Sequence, residues 1–245
     1  DLSLRVQAGE KLRPPERSPQ DHAKRLRTGE AWRDFCRALE RTGDFLLDAE
    51  NPDDDRTRAE GFKYLLGMTR LGIQQALDIG DAEYPTFIRI EDPYMKWGAE
   101  NADNHYLHTN IRGDRRYRIR GDRGTCLSFL IEVKEGFMHF GDVRNFATLT
   151  ADEIALEPDG TFEIVASRER PADAANWLPL DADATQIVIR EYLCDWGNED
   201  TARFTIECMD TLGVAPEPPS PEKLSRTIDD AVGEAFDKAA KLLGL

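Results

Sequence analysis

The chain has 245 residues, of which 40% are hydrophobic and 9% aromatic, and its formal net charge is −15. That length and apolar content are sufficient for a full hydrophobic core in one large domain or two small ones, and we expect one domain with a helical flank. The negative charge argues against a nucleic-acid partner, because the phosphate backbone would be repelled.

The sequence shows no apolar run of membrane-spanning length and no hydrophobic signal core at its amino end, so we expect no membrane partner. Its cysteines are scattered and form no C-x-x-C pair, which predicts neither a zinc knuckle nor a disulfide framework. We therefore expect a reducing, cytoplasmic location, although the start at Asp1 leaves a removed leader open. The cysteines are Cys36, Cys126, Cys194 and Cys208.

Residues 1–80 are predicted to form an arm and a helical flank. Residues 1 to about 27 are rich in charge and proline, which favours an extended arm. Apolar residues then recur at helical spacing over 30–48. A second helix is predicted over 56–77, because the three aspartates at 53–55 suit the positive end of a helix dipole. Its predicted buried stripe consists of Ala59, Phe62, Leu65, Leu66 and Ile73.

After Gly80 the apolar period changes from helical to alternating, which predicts a β core over residues 81–213. One sheet of that size would expose its edges and one apolar face, so we predict a mainly β fold, an antiparallel and jelly-roll-like β-sandwich. Two N-terminal helices and one C-terminal helix would flank it. The stretch 97–135 contains three strand-like runs separated by Gly-Asp turns, and we predict that they form an antiparallel meander. The first run contains His105 and His108, and the other two lie at 115–120 and 125–133. Further strands are expected at 86–90, 186–194 and 203–209, with a hairpin at 154–165.

Residues 214–245 read as a proline-rich linker followed by an amphipathic helix. The end helices would carry apolar stripes, and a homo-oligomer that buries these stripes is one role the sequence leaves open.

His105 and His108 are the most conspicuous candidates for chemistry in the β core. They are three residues apart on a predicted strand, so their side chains point to opposite faces and cannot share one metal ion. We expect no metal site and no organic cofactor, since neither a P-loop nor a dinucleotide glycine motif is present. His108 is a candidate general acid or base that Asp103, Glu191 or Tyr192 would orient.

The predicted strand at 186–194 has a charged residue on each of its faces. Arg190 and Tyr192 share one face, and Glu191 lies on the other with Ile187 and Ile189. Whichever face is buried must therefore take in a charge, and a buried charge needs a partner or a ligand. Two interpretations follow: an internal ion pair of Arg190, or a cavity that Arg190 and Tyr192 line together with Trp177.

Two segments of the chain resemble a known bacterial family. The first segment contains N-A-D-N-H-Y at 101–106, G-D at 113–114 and Y-R-I-R-G at 117–121. The second segment contains D-G at 159–160, N-W-L-P at 176–179 and I-R-E-Y at 189–192. Together they are similar to the motifs of the domain of unknown function 1214. The resemblance implies a jelly-roll-type β-sandwich and no particular activity. Ala102 stands where that family usually has proline.

Our first functional hypothesis is a cofactor-independent enzyme of the lyase, hydratase or isomerase class. Its substrate would be a small aromatic or terpenoid-like molecule, bound in a cavity of the sandwich. The candidate catalytic residues are Tyr106, His108, Arg190, Glu191 and Tyr192, and the candidate ligand-binding residues are Asn104, His105, Tyr117 and Trp177.

Two alternatives remain open at the level of sequence. The same residues would serve a small-molecule or carbohydrate-binding module without catalysis. In addition, the aspartates at 53–55 and the segment from Asp229 to Asp237 faintly resemble the magnesium-diphosphate motifs of class I terpene cyclases. Helix capping explains these carboxylates more simply, and the strand-rich middle does not suit an all-α cyclase.

Overall fold

The computed structural model describes residues 17–48, 51–79, 81–90, 101–136 and 143–242, with the backbone alone given for residue 45 and for residues 232–242. These residues form two compact units, one of helices and one of strands. The helical unit contains α1 (Pro19–Thr28), α2 (Glu30–Leu46), α3 (Asp55–Asp78) and α4 (Pro221–Leu242).

Within the helical unit, α4 packs against α1 and α2, so helices that precede and follow the β unit in sequence share one bundle. The helix α1 lies where the sequence predicted an extended arm. Ser18 caps it by accepting a hydrogen bond from the backbone N–H of Asp21, and Pro19 takes a first-turn position that needs no N–H donor. Proline was therefore a helix-start signal at this point, not a sign of an extended chain.

The β unit is a sandwich of two four-stranded sheets, which confirms the predicted mainly β fold with flanking helices. The first sheet has the order β1-β7-β3-β4 and the second the order β6-β5-β2-β8, and most connections cross from one sheet to the other, as in jelly rolls. The strands are β1 (Asn104–Asn110), β2 (Tyr117–Asp122), β3 (Ser128–Glu135), β4 (Arg144–Thr150), β5 (Thr161–Ser167), β6 (Asn176–Pro179), β7 (Gln186–Tyr192) and β8 (Arg203–Cys208).

The structure corrects the predicted strands in four places. β1 and β3 belong to the first sheet and β2 to the second, so the three runs within 97–135 do not form a meander. β5 and β6 run parallel, so the second sheet is mixed and not purely antiparallel. The strand expected at 86–90 is reduced to one bridge, in which Ile88 pairs with His108 beside β1. The first half of the hairpin expected at 154–165 is not a strand: a short 3₁₀ turn at Ala151–Glu153 is followed by irregular chain up to the start of β5 at Thr161.

Aromatic side chains from both sheets fill the interior of the sandwich. The ring of Phe129 on β3 lies 5.9 Å from that of Phe162 on β5 and 5.1 Å from that of Phe204 on β8. Two glycines permit the close approach of neighbouring segments. A Cβ at Gly113 would lie 2.0 Å from the carbonyl oxygen of Asp181, and one at Gly121 would lie 2.2 Å from Cζ of Phe162.

No helix among the described residues has both the length and the apolar character needed to cross a bilayer.

Candidate functional site

His105 and Glu191 form a polar pair inside the sandwich. They lie opposite each other on β1 and β7. Nδ1 of His105 is 2.6 Å from Oε2 of Glu191, and the backbone N–H of Ala202 donates a hydrogen bond of 2.7 Å to Oε1. The side chain of Glu191 is 0% exposed and that of His105 is 14% exposed. A carboxylate at Nδ1 accepts the imidazole proton there and leaves Nε2 as the nitrogen that can exchange a proton.

The alternation of β7 explains why the buried charge is Glu191. Ile187 and Ile189 point into the core together with Glu191, and all three are fully buried. Desolvation of a carboxylate is costly unless hydrogen bonds replace the lost water. The hydrogen bonds from His105 and Ala202 supply that compensation. The internal ion pair predicted for Arg190 is therefore replaced by a pair between Glu191 and His105.

Loops gather around this pair at the end of the sandwich where β1 begins and β7 ends. The N–H of Leu193 donates to the carbonyl of Asp103 at 2.8 Å. The indole Nε1 of Trp196 donates to the carbonyl of Ala102 at 3.0 Å, and this ring is 49% exposed. This end of the sandwich thus has an exposed aromatic side chain that is hydrogen-bonded to Ala102, three residues before His105.

Cys126 is a buried thiol in the same region. Burial raises its pKa; the cation of Arg123 acts against that shift and the charge of Glu191 adds to it. The guanidinium of Arg123 donates to the sulfur at 3.4 Å. The thiol therefore stays protonated near neutral pH and does not supply a thiolate nucleophile.

Four other predicted residues lie on the outer face of the first sheet. Tyr106 is directly opposite Arg190, and Asn104 is directly opposite Tyr192. The guanidinium of Arg190 lies 5.0 Å from the centre of the Tyr106 ring, and Asn104 donates a hydrogen bond of 3.1 Å to the Tyr106 hydroxyl. Burial disfavours the charge of Arg190, yet its hydrogen bond to Tyr192 raises its pKa above the usual value.

His108 lies on this outer face too, on the side of β1 opposite to His105, as the sequence predicted. It is only 6% exposed, and its backbone pairs with Ile88. Glu191 points away from it and so does not orient it. Among the described residues no group of three His, Cys, Asp or Glu side chains is arranged to hold a metal ion. The loop-like segment 139–142, which contains a further histidine, His139, and Asp142, lies outside the described residues.

Trp177 and Tyr117 belong to the second sheet, so they do not form a wall beside Arg190 and Tyr192. The indole of Trp177 donates to Ser167. The hydroxyl of Tyr117 donates to the carbonyl of Ala82 at 3.0 Å and accepts from the N–H of Arg112 at 2.8 Å. Both residues hold neighbouring segments in place. Their motif positions indicated importance but did not reveal this structural role.

The aspartates that resemble cyclase motifs have local roles in the helical unit. Asp54 accepts a hydrogen bond of 3.0 Å from the N–H of Thr57 and so caps α3. Asp229 accepts hydrogen bonds from Arg17 and Arg25. The side chain of Asp237 lies outside the described residues.

Sequence reasoning missed two members of the site. The backbone N–H of Ala202 and the indole of Trp196 both come from the connection between β7 and β8. A backbone amide leaves no residue signature, and a tryptophan in a loop has no periodicity that assigns it to a face.

No family model matches the chain, and no curated protein matches it. A solved structure of an uncharacterized protein from Burkholderia cenocepacia is similar over 89% of this chain, with 30% sequence identity and a TM-score of 0.81. This chain spans 60% of that protein. A structure from Vibrio parahaemolyticus shares 15% identity over 61% of this chain and 43% of its own, with a TM-score of 0.36.

Proposed function

We propose that the protein is a cofactor-independent enzyme of the lyase, hydratase or isomerase class, with His105 as the residue that transfers a proton. The observation that carries this proposal is the 2.6 Å contact between His105 and the fully buried Glu191. Imidazole titrates near neutral pH, which suits it to general acid–base catalysis. Glu191 acts as a positioning residue, because it fixes the proton on Nδ1 and the orientation of the ring.

The reaction class follows from what one oriented imidazole can do. Nε2 of His105 takes a proton from the substrate and returns it to another atom, which gives isomerisation, or to a leaving hydroxyl, which gives loss of water. Neither step consumes a co-reactant. The surroundings favour a small hydrophobic substrate of the aromatic or terpenoid-like kind, because Glu191 lies opposite Phe129 of the aromatic core and the exposed ring of Trp196 is bonded to the loop that leads into β1.

One further observation favours the non-catalytic alternative. A groove of about 680 Å³ lies on the outer face of the second sheet, between that sheet and the loops before and after β5. Arg116 and Arg118 line it, and Asp210 and Glu207 neutralise their charges. A neutral ligand rich in hydroxyl groups, such as a carbohydrate, fits such a lining better than an ion.

We infer membership of the domain of unknown function 1214 from the motifs, and the positions of their residues support it. Asn104 and Tyr106 lie on β1, and Gly113 and Gly121 permit close approaches of neighbouring segments. The side-chain amide of Asn176 accepts a hydrogen bond from the N–H of Ala155 and donates one to the carbonyl of Ala155. We also propose a cytoplasmic location, since the described cysteines are unpaired.

The test begins with a thermal-shift panel of aromatic, steroid and isoprenoid compounds on the wild type. Compounds that stabilise the protein are then incubated with it in D₂O, and deuterium incorporation into the compound is measured by mass spectrometry. We expect incorporation with the wild type and a loss of about 100-fold in His105→Gln, in line with one general base. Arg190→Ala is the control, because its side chain lies on the opposite face of the sheet from His105. Equal exchange by wild type and His105→Gln would refute the assignment.

A further inference from the structure

The groove on the outer face of the second sheet, which we call the β5 groove, lies entirely within the β unit. Its floor consists mainly of the outer face of β2 and β5. One wall is the chain at 155–157, which precedes β5, and the other is the chain at 171–176, which follows it. Small-molecule sites have volumes of about 300–1,000 Å³, so this groove has room for a chain of about two or three sugar rings.

The two walls of the β5 groove are joined by one buried side chain. Asn176 accepts a hydrogen bond of 2.7 Å from the N–H of Ala155 and donates one of 2.9 Å to the carbonyl of that residue. The same amide donates to the carbonyl of Glu163, on the floor, at 3.0 Å. The groove is therefore formed before a ligand arrives, and binding does not have to order its walls.

The two arginines on the floor already have anionic partners. Arg118 donates to Glu207 through Nε at 2.5 Å, and Arg116 forms an ion pair of 2.9 Å with Asp210. These pairs leave this part of the floor close to neutral. An anionic ligand would therefore gain little attraction from it.

Two carboxylates on the walls carry their charge without a cation. Glu157 lies in the first wall and Asp173 in the second, both are exposed, and neither forms an ion pair within the described part of the chain. They repel an anion and accept hydrogen bonds from hydroxyl groups. A cation would gain little from them, because the attraction between exposed charges is weak.

The guanidinium of Arg118 still has hydrogen bonds to donate. Its Nε and Nη2 contact Glu207, whereas its Nη1 has no partner among the described residues. A hydroxyl group both donates and accepts, so neighbouring hydroxyls of a sugar satisfy Nη1 and a wall carboxylate together. Apolar side chains such as Leu156 and Val165 lie beside these polar groups. A sugar ring has the matching combination of hydroxyls at its edge and C–H groups on its faces.

We propose that the β5 groove binds a neutral oligosaccharide and is a second site of this protein beside His105. This assignment rests on the carbohydrate-binding alternative given above, and it adds the charge and length of the ligand and Arg118 as the residue that recognises it. His105 belongs to the first sheet, whereas the groove lies outside the second. Loss of binding in the groove should therefore leave proton transfer by His105 intact.

The first test is calorimetric titration of the full chain with neutral trisaccharides of glucose, mannose, galactose, xylose or N-acetylglucosamine. We expect at least one of them to bind with a dissociation constant of about 1 mM or lower. Trisaccharides of galacturonic acid, which is anionic, and of glucosamine, which is cationic, should bind more weakly. Failure of every neutral trisaccharide to bind, or binding of a charged one that is as tight or tighter, would overturn the proposal.

The second test compares two arginines on the outer face of β2, using the neutral trisaccharide that binds. Arg118→Lys keeps the charge beside Glu207 but removes the planar fork of donors, so it should weaken binding by about tenfold. Arg120→Lys is the matched control, because Arg120 pairs with the same Glu207 and does not line the groove. Its affinity should equal that of the wild type. Equal affinities of the two variants would contradict recognition by Arg118.

The third test blocks the groove without touching an ion pair. Ala175 and Ala172 are both exposed in the segment after β5, but only Ala175 lines the groove. Ala175→Leu should weaken trisaccharide binding by about tenfold or more, whereas Ala172→Leu should leave it unchanged. Unchanged binding in Ala175→Leu would place the ligand elsewhere and overturn the assignment. Deuterium exchange by His105 should be the same in both variants, which separates failure of this site from failure of the proposed enzyme.

Discussion

Arg190 and Glu191 are consecutive residues of β7, yet their side chains occupy opposite faces of the first sheet. Arg190 lies over the ring of Tyr106, and Glu191 lies inside the sandwich against His105. One strand therefore serves two environments, and a substitution at either residue tests only one of them.

Glu191 should be important for stability as well as for the orientation of His105. Glu191→Ala leaves the imidazole and the N–H of Ala202 without their acceptor inside the sandwich, which we expect to cost about 3–5 kcal/mol in the free energy of unfolding. Urea denaturation measures this cost. Glu191→Gln keeps the shape and the acceptor for Ala202, so its cost should be nearer to about 1–2 kcal/mol.

The Gln variant also separates positioning from stability. Its amide N–H₂ faces Nδ1 of His105, so the imidazole must accept there and carry its proton on Nε2. Nitrogen-15 NMR of the histidine ring distinguishes the two tautomers directly. An unchanged tautomer in Glu191→Gln would show that Glu191 does not control His105.

Tyr117 should make the free energy of unfolding depend on pH in the alkaline range. Burial raises the pKa of its phenol above the ordinary value, although the N–H of Arg112 acts in the opposite direction. In the unfolded chain the phenol loses its proton near pH 10. Its contribution to the free energy of unfolding is therefore complete below about pH 10 and is lost as the pH rises further. Tyr117→Phe should lose about 1–3 kcal/mol at neutral pH and show a shallower fall above pH 10.

The measurement is urea denaturation between pH 8 and 11 on both proteins, since about pH 10 is the ordinary tyrosine pKa. Some slope should remain in the variant, because burial also raises the pKa of Tyr64 to about 12. Parallel stability curves for the wild type and Tyr117→Phe would argue against a role for this phenol.

Gly121 should not tolerate even one methyl group. A Cβ there would lie 2.2 Å from Cζ of Phe162 and 2.6 Å from the carbonyl oxygen of Arg203, and backbone cannot move aside as a flexible side chain can. We expect Gly121→Ala to cost about 3 kcal/mol or more. Gly43→Ala in α2 is the control, because its Cβ would lie 4.0 Å from the nearest atom and should stabilise the helix by about 0.5–1 kcal/mol. Similar effects of both changes on thermal unfolding would be inconsistent with this packing.

Asp229 should hold α4 to α1 in the helical unit. It accepts hydrogen bonds of 3.1 and 2.8 Å from Arg25 and one of 3.0 Å from Arg17, and its side chain is 12% exposed. Asp229→Asn should destabilise the unit by about 2–3 kcal/mol, less than a fully buried pair because solvent screens part of the interaction. Hydrogen exchange should then speed up in α1 and α4. Asp44→Asn, at an exposed aspartate of the same unit, should leave these rates unchanged.

The main features of the β core could be predicted from the sequence because alternation is a local signal. The apolar residues of β3 at every second position determined that this strand has one buried face. The charged residue on each face of β7 determined that a charge must enter the core. The same rule placed His105 and His108 on opposite faces. The existence of α2 and α3 followed from helical spacing and start signals in the same way. The predicted buried face of α3 was wrong, because Phe62, Leu66 and Ile73 are exposed and Met68 and Leu71 are buried instead.

Strand pairing decided the rest, because a sequence does not state which strands are neighbours. Only the register between β1 and β7 brings His105 against Glu191, residues 86 positions apart in the chain. Trp177 and Tyr117 share a motif pattern with the residues of β1 and β7 but fold into the other sheet. Periodicity thus determined which side of a strand a residue takes, and only the tertiary structure decided what it meets there, since that depends on contacts between distant segments.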